Sequence, residues 1–73
     1  MSECNGWKNE DTWALALSME NENYSLIKEE KDNLLKLSDD NLRKQLEELI
    51  QSFDEINYNN VAIDEIRKAI EEF

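Results

Sequence analysis

Apolar residues recur along this chain at helical intervals in four places, and short polar clusters separate them. The first group is Trp13, Leu15, Ala16, Leu17 and Met19. Asn9, Glu10 and Asp11 precede it, bringing the side-chain oxygens and negative charge that suit the start of a helix. A helix is predicted over residues 11–20. The cluster Asn21, Glu22, Asn23 interrupts the pattern and offers caps to the next element. Ile27, Leu34, Leu35 and Leu37, with the aliphatic stem of Lys31, then predict a second helix over 24–37. Ser38 is a good N-cap, and Asp39 and Asp40 favour the positive end of the third helix. Its stripe is Leu42, Leu46, Leu49, Ile50 and Phe53, at intervals of four, three, one and three. Asn57, Asn59 and Asn60 mark a turn, after which Val61, Ile63, Ile66, Ile70 and Phe73 draw a fourth stripe.

The chain has no proline and one glycine, Gly6, so it lacks the material for hairpin turns and for internal helix breaks. The expected fold is all-α: a compact bundle of about four short helices in one acidic domain, residues 1–73. Short connections make consecutive helices near neighbours and mostly antiparallel. A domain of 73 residues buries roughly 60 to 65% of its unfolded surface, for a stability of roughly 3 to 5 kcal/mol. No staple reinforces it, because the single cysteine, Cys4, has no internal partner and there is no histidine for a zinc site. Cys4 is expected to be a thiol in a reducing compartment. The longest apolar run, Trp13 to Leu17, is shorter than a secretory core of about 7 to 15 residues or a membrane span of about 20. A cytoplasmic location is expected.

Charge changes the picture most. Eighteen Asp and Glu against 8 Lys and Arg give a formal net charge of −10. Such a field repels nucleic acid and anionic membranes and steers the chain toward basic surfaces. Fourteen of the acids stand as adjacent pairs: Glu10 and Asp11, Glu29 and Glu30, Asp39 and Asp40, Glu47 and Glu48, Asp54 and Glu55, Asp64 and Glu65, Glu71 and Glu72. Part of this charge has partners at helical spacing, in the ladders Asp39, Arg43, Glu47; Asp40, Lys44, Glu48; and Asp64, Lys68, Glu72. The excess is what points outward. Glu47 precedes Asp54, and Glu48 precedes Glu55, by seven residues, so each couple stacks about 10.5 Å apart if the third helix runs that far. Asp64 and Glu71, and Glu65 and Glu72, repeat the interval. Carboxylates fixed on helices can imitate phosphates toward a protein that grips nucleic acid with Lys and Arg. Duplex DNA is denser, with a charge per roughly 1.7 Å of axis, so several helices or a homodimer would have to share the face.

No constellation for catalysis is present. There is no histidine, Cys4 has no base to activate it, and exposed acidic doublets do not form a pocket with shifted carboxylates. The stretch from Asp39 to Glu48 lacks the glycine and alternate spacing of a calcium loop. No enzymatic activity, cofactor or metal is expected. Of the two tryptophans, Trp13 is expected to fill the core. Trp7 is either a lid folded over it or a partly exposed anchor for a partner.

The segment from Asn5 to Trp13, followed by Asn21 to Asn23, resembles the opening of a group of small bacteriophage and mobile-element proteins. Their pattern is Asn-Gly-aromatic, an Asn, and Thr-Trp leading into an apolar helix and an Asn-rich turn. Asn5, Gly6, Trp7, Asn9, Thr12 and Trp13 carry the match. The stretch from Ile56 to Ile66 is similar to that group's closing turn and short helix, whereas Ser18 stands where an aromatic is often found. The resemblance implies a mobile-element origin and supplies no activity. With the charge, it leads to the expectation of an inhibitor of a host defence nuclease, an anti-CRISPR or antirestriction protein acting as a DNA mimic. Glu29, Glu30, Glu47, Glu48, Asp54, Glu55 and Trp7 are its candidate contact residues on a basic nucleic-acid-binding surface. The alternative is a self-associating structural or regulatory module that uses apolar surface at Phe53, Tyr58, Ile70 and Phe73.

Overall fold

A computed structural model describes residues 6–50 and 55–73; Cys4, Asn5, Phe53 and Asp54 lie outside the described residues. Among the described residues four α-helices follow one another: α1 Glu10–Glu20, α2 Tyr24–Leu35, α3 Asp39–Leu49 and α4 Ile63–Glu71. A single 3-10 turn, Tyr58–Asn60, precedes α4, and no strand occurs among the described residues. The protein is an all-α bundle.

The shortest helix holds the centre. α4 packs against α1, α2 and α3, whereas α1 and α3 each lie beside α2 and α4 and do not meet. Its sequence explains the position. Ile63, Ile66 and Ile70 are all buried on one face, and Asp64, Lys68, Glu71 and Glu72 are exposed on the other. Ile27 and Leu34 of α2 and Leu42 and Leu46 of α3 complete the core with Leu15 and Met19 of α1.

Helix starts follow the expected capping chemistry. Asn9 is extended at φ −155° and its side chain accepts the Thr12 N–H at 2.9 Å. Ser38 does the same for Asn41 at 3.4 Å, with Asp39 and Asp40 in the first turn. Asn23 behaves differently. It sits at the N-cap position of α2 without a capping side-chain bond there. It is buried, and both its backbone N–H, at 3.1 Å, and its Nδ2, at 2.9 Å, donate to the Ser18 carbonyl, so it closes α1 instead. Small Ser18, itself buried, lets the chain turn closely at this corner.

Helix ends depart from the sequence pattern. α2 stops at Leu35, two residues short of Leu37: the N–H groups of Lys36 and Leu37 tighten onto Asn33 and Leu34, and the Arg67 guanidinium takes the carbonyls of Leu35 at 3.1 Å and Leu37 at 2.8 Å. α3 stops at Leu49, where Ile50 turns extended at ψ 129° and still buries its side chain. Glu48 and Glu55 do not stack on one helix face, because α3 ends before Glu55 and Glu55 is not helical. The stacking expected of Glu47 with Asp54 falls on a residue outside those described.

In α1 the buried face is Thr12, Leu15, Ala16, Ser18 and Met19. Trp13 is half-buried and outside the set of hydrophobics packed on the core among the described residues, and Leu17 is 39% exposed. The core role expected of Trp13 is thus corrected: Trp7 is the tryptophan packed against the core. Thr12 takes the inward position that Trp13 was expected to hold because its hydroxyl has partners there.

Candidate protein-binding surface

The first turn of α1 is tied to the segment from Asn57 to Ala62 by side chains. Asn9 Nδ2 donates to the Asn60 carbonyl at 2.8 Å. Asp11 accepts the Asn57 N–H at 3.1 Å on Oδ1 and Asn60 Nδ2 at 2.8 Å on Oδ2. Thr12 Oγ1 donates to Asn9 Oδ1 at 2.8 Å and accepts the Ala62 N–H at 2.9 Å. Arg43 holds the same segment from the other side, with Nη1 donating to the carbonyls of Tyr58 and Val61, the latter at 2.9 Å. This knot carries the turn that delivers α4 into the core.

Both arginines therefore face inward onto backbone carbonyls. The ladders expected within α3 and α4 are not formed as ion pairs; among the described residues the ion pair is Arg67 with Asp39 at 2.8 Å, between helices. Arg67, at 25% side-chain exposure, can reach carbonyls that a flexible surface pair cannot satisfy. Beyond the two arginines the sequence has six lysines against its 18 acids, of which Asp39 is paired with Arg67.

Glu47 and Glu48 lie exposed on the outward face of α3, Glu29 is exposed on α2, and Glu55 is exposed in the link after α3. Glu30 is half-buried, since it falls beside the Ile27 and Leu34 stripe. Glu47 also acts on a neighbour. Burial pushes the Tyr58 hydroxyl above its ordinary pKa of 10.0, and the negative charge of Glu47 adds to the rise.

Trp7 lies elsewhere. It lines a shallow groove of about 300 Å³ with Gly6, Glu65, Lys68, Ala69 and Glu72. Gly6 adopts φ 88°, a conformation that favours glycine, where the chain runs alongside α4. The Lys8 N–H donates to Glu65 Oε1 at 2.9 Å and pins the two segments together. Of the candidate contact residues, Trp7 alone lines this groove. Glu65 and Glu72 carried no signal as its neighbours in the sequence, being 58 and 65 positions away.

The apolar alternative loses much of its surface to the interior. Ile70 is fully buried, Tyr58 and Phe73 pack against the core, and the Phe73 ring lies 5.3 Å from that of Tyr24. Among the described residues, the large apolar side chains left exposed are Leu17 and Tyr24. Among the described residues no group of three or more Cys, Asp or Glu side chains is placed to hold a metal, and no helix is long and apolar enough to cross a membrane.

Comparison of the chain with protein-family models, with curated proteins and with solved structures finds no match to any of the three.

Proposed function

We propose that this protein is an inhibitor of bacteriophage type that occupies a basic, nucleic-acid-gripping surface of a host defence nuclease, of the CRISPR or restriction kind. The observation that supports this reading most is the inward turn of both arginines, which leaves exposed acids at Glu29, Glu47, Glu48, Glu55, Asp64, Glu71 and Glu72 facing few bases. The partner is a protein whose Lys and Arg side chains ordinarily meet phosphates, and the acids take the place of those phosphates. Long-range steering then brings the two together, and charge complementarity fixes the register.

Glu47, Glu48 and Glu55 reversed together to Lys test the reading. Against a panel of purified CRISPR and restriction nucleases, the unaltered chain is expected to bind and inhibit at least one member. The reversed variant is expected to lose at least tenfold in affinity at unchanged helicity. Equal binding by the two proteins, or binding of the parent to no member, would sink the proposal.

A further inference from the structure

The groove beside Trp7 has a chemistry that the acidic helix faces lack. One wall is an indole, the aromatic ring that attracts cations most strongly. The other runs along α4, from Glu65 in its first turn past Lys68 and Ala69 to Glu72 at its C-cap, so a carboxylate stands at each end. At the Glu72 end the groove meets the C-terminus of α4, whose unpaired carbonyls carry partial negative charge that favours cations. Glu65 is held in place by the Lys8 N–H, and a carboxylate has acceptor positions for more than one donor. Lys68 is the basic residue of this last turn, yet it makes no ion pair with Glu65 or Glu72 among the described residues.

We infer that this groove seats one arginine side chain of the basic partner, with the guanidinium on the Trp7 indole and its N–H groups on Glu65 and Glu72. The inference rests on the proposed function for the identity of the partner. Arginine fits better than lysine, because its planar fork can stack on a ring and donate to a carboxylate at the same time. The acidic faces supply approach and the groove supplies an anchor, in the way interface energy concentrates on a few aromatic and arginine contacts. Lys68 competes with the incoming cation, so removal of its charge strengthens binding.

The test is an NMR titration of the 15N-labelled full chain with a blocked Gly-Arg-Gly peptide, and with the same peptide carrying citrulline. Citrulline keeps the shape and loses the charge. The Trp7 indole N–H and the amides of Lys68, Ala69 and Glu72 are expected to shift saturably with the arginine peptide, and at least fivefold more weakly with citrulline. Glu72→Gln is expected to weaken the interaction and Lys68→Gln to tighten it, each about two- to threefold. Equal response to both peptides, shifts spread evenly over the acids of α2 and α3, or weaker binding by Lys68→Gln would overturn the inference. The two proposals fail separately. An arginine-filled groove in a protein that binds no nuclease removes the proposed function alone, whereas nuclease binding indifferent to Trp7→Ala and Glu72→Gln removes the anchor alone.

Discussion

The hydroxyl of Thr12 accepts the backbone N–H of Ala62 at 2.9 Å, joining the first turn of α1 to the start of α4 across 50 residues of chain. The same hydroxyl donates to Asn9 Oδ1, so a fully buried side chain has its donor and an acceptor position used. Ala62 offers α4 no capping side chain of its own, and Thr12 serves one of the orphan N–H groups there.

Thr12→Val keeps the volume and removes both bonds. Burying the Ala62 N–H without a partner costs about 1 to 3 kcal/mol, a large share of the stability of a chain this small. Chemical denaturation should show this loss, with Thr12→Ser recovering most of it. A Thr12→Val protein within about 0.5 kcal/mol of the parent would contradict the role given to this contact.

Arg67 and Asp39 make an uneven pair. Arg67 also holds the carbonyls of Leu35 and Leu37 that end α2, while the Asp39 side chain is 64% exposed. Asp39→Asn is expected to change stability by less than about 1 kcal/mol, the range of exposed ion pairs. Arg67→Met should lose more, about 1 to 3 kcal/mol, because two carbonyls lose a charged donor. Urea midpoints for the two variants decide the order, and a reversed order would contradict the structure.

These contacts also mark how far the sequence could be read. Helix starts were legible because caps are local: Asn9 and Ser38 stand next to the turns they serve. Helix ends were not: the carbonyls left open at the end of α2 are met by Arg67, about thirty residues away. The face of α1 was illegible for another reason. Trp13 to Leu17 is a nearly continuous apolar run, so its period does not choose between faces, and the choice falls to Thr12 and Ser18, which look polar in the sequence. The acidic doublets were visible as charge, but their arrangement depended on α3 continuing beyond Leu49, where it ends.

Leucines two residues apart in α1 test the face that was chosen. Leu15 is fully buried, so Leu15→Ala should lose about 2 to 5 kcal/mol and unfold much of the population. Leu17 is 39% exposed, and Leu17→Ala is expected to cost under about 1 kcal/mol. Comparable losses at the two sites would place the helix with the wrong face inward.

Tyr58 gives the protein an alkaline dependence. Its pKa is raised in the folded state, by burial first and Glu47 second, so folding favours the neutral phenol. The contribution is fully present below the unfolded value near 10.0. It is lost as the pH rises from there through the folded value, because the unfolded chain releases its proton first. Stability followed above pH 10 should therefore fall, and Tyr58→Phe should flatten that part of the fall. An identical alkaline profile in Tyr58→Phe would rule out this linkage.

Competition with DNA addresses the central claim most directly. With a nuclease that this chain binds, the affinity is measured across a series of salt concentrations, with and without the cognate duplex. Binding through substituted phosphate contacts is expected to weaken steeply with salt, since exposed charges are screened beyond about 8 to 10 Å at physiological ionic strength. The duplex is expected to displace the protein, as both need the same basic surface. A complex that is indifferent to salt and holds duplex and protein together would contradict the account.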